Sequence, residues 1–216
     1  ADCLRKEGYY TAFFHGAPNG SMGFQAYARS AGFEHYYGMN EYDGIEAFDG
    51  TWAIWDEEFL QYYGKTMSSM QEPFMTAVFT ASSHHPFRVP KRYEGVFPKG
   101  DISIHQCIGY TDHALREFFA YAAQQPWYAN TLFVITADHT NEISLPEYAN
   151  AKGLFEVPIA FTGYAALSVE RQITFFTPAS IAAVSTFSVP STLVFTASIG
   201  KNSHEGTCFN AAAWKT

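Results

Sequence analysis

Cysteine is scarce and scattered. The three, Cys3, Cys107 and Cys208, share no CxxC spacing, which argues against a zinc-thiolate site or a dense disulfide scaffold and leaves the redox compartment open. Cations are few as well. Thirteen Lys and Arg stand against 21 Asp and Glu, a formal charge of −8, so the chain lacks the basic footprint of a nucleic-acid binder. No apolar run approaches the ~18 residues that cross a bilayer, and no internal repeat points to a solenoid or propeller. Apolar material is plentiful: 47% of the 216 residues are hydrophobic and 18% aromatic, enough for one large core or two small ones.

One stretch organises the rest. Residues 131–137, Thr-Leu-Phe-Val-Ile-Thr-Ala, are apolar or β-branched throughout, the pattern of a strand buried on both faces of a parallel sheet. The run stops at Asp138-His139, a carboxylate beside an imidazole at the strand's carboxyl end, the edge where open α/β sheets bind ligands. Such an oxygen and nitrogen pair suits Zn²⁺ or Mn²⁺; equally, Asp138 could cap a loop and His139 face solvent. Residues 9–14 and 74–81 read as further strands. They end in His15-Gly16-Ala17-Pro18-Asn19-Gly20 and in Ser82-Ser83-His84-His85-Pro86-Phe87. Helical spacing marks residues 56–70 and 104–125, and a shorter helix is expected over 22–31 with Ser21 as its cap. Residues 33–52 read as an irregular excursion. A last strand is expected over 157–162, with Pro158 placing it at an edge or a strand start. Strands alternating with helices predict an α/β fold with a mostly parallel sheet flanked by helices. The final fifty residues show neither strand nor helix periodicity.

Several segments, in order, resemble a known family. They are Tyr10-Thr11-Ala12-Phe13-Phe14-His15-Gly16, Ser83-His84-His85-Pro86-Phe87, Tyr110-Thr111-Asp112, the strand ending in Asp138-His139, and Gly153-Leu154-Phe155-Glu156-Val157-Pro158-Ile159-Ala160-Phe161. Together they resemble the sulfatase-type domain of the lipoteichoic acid synthase family, in the alkaline phosphatase superfamily. The resemblance implies that residues 1–175 are the carboxyl-terminal portion of such a domain, an incomplete alkaline phosphatase/sulfatase-like fold. Residues 176–216 form a tail that leaves the family pattern after about Ser180, where another reading frame would restore it.

The resemblance also implies a chemistry. Asp138 and His139 become metal ligands, for Mn²⁺ above all, with Zn²⁺, Ca²⁺ and Mg²⁺ as alternatives. His84 becomes the substrate-binding histidine, with His85 in a place the family gives to an aromatic residue. The family's nucleophilic Thr and a metal-binding Glu have no counterpart here and are expected upstream of Ala1, beyond which membrane helices would hold the domain on the extracytoplasmic side. The domain itself is expected to be soluble, inactive alone and a weak metal binder. The implied function is a metal-dependent phosphate-ester transferase or hydrolase acting on a phospholipid headgroup or an envelope glycan or polymer, with no nucleic acid as partner. One departure bears on the substrate. Where phosphoglycerol-transferring members carry a Trp and an Arg, this chain has Gly23 and Gln25, and a neutral Gln cannot replace the fork of Arg on a phosphate. A sulfatase or phosphoethanolamine transferase on the same scaffold, or a non-catalytic binding domain, stay as alternatives.

Overall fold

The computed structural model describes residues 1–140, 142–163 and 192–198. Its elements run α1 (Asp2–Lys6), β1 (Tyr10–His15), α2 (Phe24–Ser30), β2 (His35–Tyr37), α3 (Asp56–Met67), β3 (Phe74–Phe79), α4 (His105–Ala122), β4 (Thr131–Ala137), β5 (Ile159–Gly163) and β6 (Thr192–Ser198). Six strands make one sheet in the order β2-β1-β3-β6-β4-β5. β1 pairs parallel with β2 and β3. β6 lies antiparallel between β3 and β4, and β5 runs antiparallel along the outer side of β4. β1, β2, β3 and β4 therefore point the same way, as an α/β fold requires, and the two later strands run against them.

Alternation along the strands explains the layers. Ala12 and Phe14 of β1 and Phe74 and Val78 of β3 face α3 and α4, where they join Leu60, Tyr63, Met67 and Phe118 in the main core. Phe13 of β1 and Ala77 and Phe79 of β3 face the opposite way, onto Ala28 of α2 and Phe33. Helices cover both faces, so the strands read as continuous apolar runs rather than alternating ones. Phe118 is fully buried; its ring lies 5.4 Å from that of Tyr63, and beyond it Phe119 meets Phe133 of β4 at 5.1 Å. Each such ring contributes about 1.5–3 kcal/mol by burial. The helices approach closely at Gly64, where an added Cβ would sit 2.9 Å from a ring carbon of Tyr121.

Three local readings change. Ser21 makes no cap; Gly23, at φ 76°, stands before α2, and Ser21 itself lies in a short 3₁₀ turn. The excursion over 33–52 contains strand β2, too short to show a period. β6 falls in the stretch where no period was visible. Pro158 does precede β5, an edge strand. The reading-frame expectation falls mostly on residues outside the described ones. Among the described residues no helix is long and apolar enough to cross a membrane.

Candidate functional site

Strands β1, β3 and β4 all deliver polar residues to one edge of the sheet. Ala137 pairs with Thr192, and Thr136 and Phe79 both pair with Leu193, so the ends of β3 and β4 are level. They are second neighbours, with β6 between them, roughly 10 Å apart by strand spacing. His84 and Asp138-His139 thus follow strand ends on the same edge, at the spacing of one intervening strand rather than as immediate neighbours.

The segment after β3 is held by a carboxylate that sequence patterning missed. Asp56, the first residue of α3, is 2% exposed. Its Oδ1 accepts from the backbone N–H of Ala81 at 2.9 Å and of Ser82 at 3.2 Å, and its Oδ2 accepts from the Thr111 hydroxyl at 3.1 Å. The link is reciprocal, since the Asp56 N–H donates to Ser82 Oγ at 3.0 Å. Ser83 Oγ and Thr111 Oγ1 are 3.0 Å apart. Burial pushes the Asp56 carboxyl up, against the downward pull of these donors. The network ties α3, α4 and the end of β3 together, and His84 leaves from it.

His84 is half-buried, with Nδ1 3.2 Å from the Ala81 carbonyl. A carbonyl only accepts, so Nδ1 carries a proton, and in the neutral ring Nε2 holds the lone pair. The Trp52 ring lies 5.6 Å from the imidazole. A small pocket is lined by His84 together with Trp52, Trp55, Ser82, Pro86 and Arg88. Beside it lies a cavity of about 930 Å³, which shares Asp49, Trp55 and Arg88 with the pocket and continues along Lys91 and Lys99. His85 goes elsewhere: it is exposed, and its ring packs edge-on to Phe87 at 5.8 Å.

His15, at the end of β1, is buried among Phe24 and Phe79, and its Nδ1 donates to the Phe79 carbonyl at 3.1 Å. Burial lowers its pKa from 6.5 to about 4; the bond to Phe79 opposes that shift and nearby His84 adds to it. It is a neutral brace between β1 and β3.

Asp138 and His139 follow β4 side by side, both part-exposed, with Asp138 Oδ2 3.5 Å from His139 Nε2. Asp138 Oδ1 accepts the N–H of His139 at 2.8 Å, and the imidazole ring packs on Phe155. One carboxylate oxygen and one ring nitrogen therefore stand side by side. This donor set fits part of a site for a divalent cation. Among the described residues, no three His, Cys, Asp or Glu side chains form a metal-holding group.

A mixed sheet covered by helices on both faces, with its polar residues at the carboxyl ends of like-directed strands, makes this an α/β protein. The Sulfatase family model matches residues 1–161, and the chain belongs to that family. Among similar proteins is the lipoteichoic acid synthase-like YvgJ of Bacillus subtilis, 22% identical over 141 residues, covering 63% of this chain and 23% of that protein. Phosphoglycerol transferase I of Escherichia fergusonii is 25% identical over 148 residues, or 64% of this chain and 19% of its own length. The chain thus spans about a fifth of the relatives it matches. Two crystal structures share the fold. A Vibrio parahaemolyticus protein of the alkaline phosphatase superfamily superposes with a TM-score of 0.62 at 24% identity, covering 75% of this chain and 40% of that one. The lipoteichoic acid synthase LtaP of Listeria monocytogenes gives 0.63 at 20% identity, covering 79% and 46%.

Proposed function

We propose that this chain is part of a metal-dependent transferase of envelope phosphate esters. The observation that carries the reading is the shared sheet edge: the Asp138-His139 pair and His84 follow like-directed strands within the span that matches the Sulfatase family. Asp138 and His139 would hold two coordination positions of the metal, with Mn²⁺ the first candidate. A divalent ion bound there would offset charge on the ester and lower the pKa of a coordinated hydroxyl. The nucleophile and the remaining ligands are proposed to come from parts of the longer protein outside these residues.

His84 has a definite share in this scheme. Its Nδ1 proton is committed to the Ala81 carbonyl, so the neutral ring presents Nε2 as an acceptor and the protonated ring presents it as a donor. The donor form can bind a non-bridging ester oxygen or protonate a leaving alkoxide. The Asp56 network keeps that nitrogen in place. Donor choice is a further part of the proposal. Gly23 takes φ 76°, a backbone conformation that a Trp would adopt only under strain, and this supports a departure from the phosphoglycerol pattern. A phosphate-ester headgroup other than phosphoglycerol, or a sulfate ester, is consistent with that departure.

The test is to express the longer protein with Mn²⁺ and supply phosphatidylglycerol, phosphatidylethanolamine and an aryl sulfate in parallel. Release of diacylglycerol from either phospholipid supports the phosphate-ester reading, and release from phosphatidylglycerol overturns the proposed donor choice. Turnover of the aryl sulfate alone would make the protein a sulfatase, and turnover of none would favour a binding domain.

A further inference from the structure

The loop that carries Trp52 is built more firmly than an ornamental surface turn needs. Asp49 Oδ1 accepts three backbone N–H groups, from Thr51 at 2.7 Å, Trp52 at 2.7 Å and Ala53 at 3.2 Å. The Asp49 N–H donates to the Ala53 carbonyl at 2.9 Å, and Ile54 N–H donates to the Gly16 carbonyl at 2.9 Å. The turn is therefore closed on itself and clamped to the end of β1. At its tip the indole Nε1 donates to the His85 carbonyl at 2.5 Å, while the ring faces the imidazole of His84. Trp52 nevertheless stays 36% exposed, so its apolar surface is only partly spent on packing.

Arg88 lines the same pocket as His84 and reaches into the adjoining cavity. It is exposed, and among the described residues it makes no salt bridge, unlike Arg92, which is paired with Glu57 and Glu58. Asp49 also lines the pocket, but its Oδ1 is taken up by the turn. A formal charge of −8 gives this chain no general attraction for an anion, so a cation at the pocket itself decides whether an oxyanion is held there.

We propose that Trp52 is a positioning residue that fixes the His84 imidazole, and that Arg88 is a substrate-binding residue that takes a non-bridging oxygen of the ester. The inference rests on the reading of His84 as a substrate contact. It assigns to two residues, 36 positions apart in sequence, the aromatic wall and the cation of the His84 pocket.

The test follows phosphate binding by calorimetry and, wherever His84 is present, its ring signals by NMR, while inorganic phosphate is titrated into the chain and again into the longer protein with Mn²⁺. Arg88→Met should weaken phosphate binding roughly tenfold, the loss of one charged hydrogen-bonding fork, and Arg88→Lys by a smaller factor. Trp52→Phe keeps a ring but loses the indole N–H; it should move the His84 resonances before any phosphate is added and weaken phosphate binding several-fold. In turnover assays Arg88→Met should raise KM more than it lowers kcat, whereas Trp52→Phe should shift the pH profile. If Trp52→Phe impairs folding, the exposed Arg88 variants carry the test alone. Binding unchanged in Arg88→Met and Trp52→Phe but lost in His84→Gln overturns this inference and leaves the proposed function standing. Binding unchanged in His84→Gln, or no response of His84 to phosphate in either form, overturns both.

Discussion

Replacing Asp56 by Ala should be among the most damaging single changes in this chain. The substitution strands three donors at once: the N–H groups of Ala81 and Ser82 and the hydroxyl of Thr111, all buried. A buried donor left without a partner costs about 1–3 kcal/mol. Ser83 can still take the Thr111 proton, and some water entry would soften the rest, so the total should be about 3–5 kcal/mol. That is a large part of the 5–15 kcal/mol, roughly, that holds an ordinary domain together. It corresponds to a fall of about 10 °C in Tm for a chain of this length. Asp56→Asn is the informative control. It keeps Oδ1 for the two backbone donors, and Thr111 can reverse its hydroxyl to accept from the new amide, so its cost should be about 1–2 kcal/mol. Urea unfolding of the three proteins gives the numbers. NMR signals of His84, which leaves directly from this network, report whether the site moves. A cost below about 1 kcal/mol for Asp56→Ala, with His84 signals unmoved, would refute the claim that this carboxylate builds the site.

His15 is neutral when folded, with a pKa of about 4 against 6.5 when unfolded, so the unfolded chain binds the extra proton between those values. Stability should rise with pH across that window, by at most about 3 kcal/mol, and His15→Phe should flatten urea midpoints measured from pH 4 to 7 by one proton's worth. Gly64→Val should push on Tyr121 and separate α3 from α4 at a cost of about 2 kcal/mol, read as a lower urea midpoint with unchanged slope. Phe118→Ala should cost about 3–5 kcal/mol, because its ring touches both Tyr63 and Phe133.

How far the sequence was legible depended on the range of the interactions. β4 and β3 could be read because burial on both faces leaves an unbroken apolar run, and α4 because eighteen residues carry several turns of helical period. The positions of Asp138-His139 and His84 at strand ends followed from those runs alone. Asp56 was not legible. Before Glu57 and Glu58 it reads as an ordinary first-turn acid, and its partners arrive from 26 and 55 positions away. Trp52 was hidden for the same reason, since its contact with His85 spans 33 positions within a segment that has no period. β6 escaped notice because its stretch shows no alternation, although Pro190 and Gly200 flank it and its pairing decides that β3 and β4 are second neighbours.

One sheet edge is proposed to gather a metal pair and a substrate histidine into a single phosphoryl-transfer site. This is tested most directly by turnover of a fluorescent phospholipid by the longer protein in Mn²⁺, comparing wild type with Asp138→Ala, His139→Ala and His84→Ala. Mn²⁺ binding should be followed by calorimetry on the same samples. Asp138→Ala and His139→Ala should lose both metal affinity and turnover, and His84→Ala should lose turnover while still binding Mn²⁺. Full turnover in Asp138→Ala, or loss of turnover in none of the three, would contradict it.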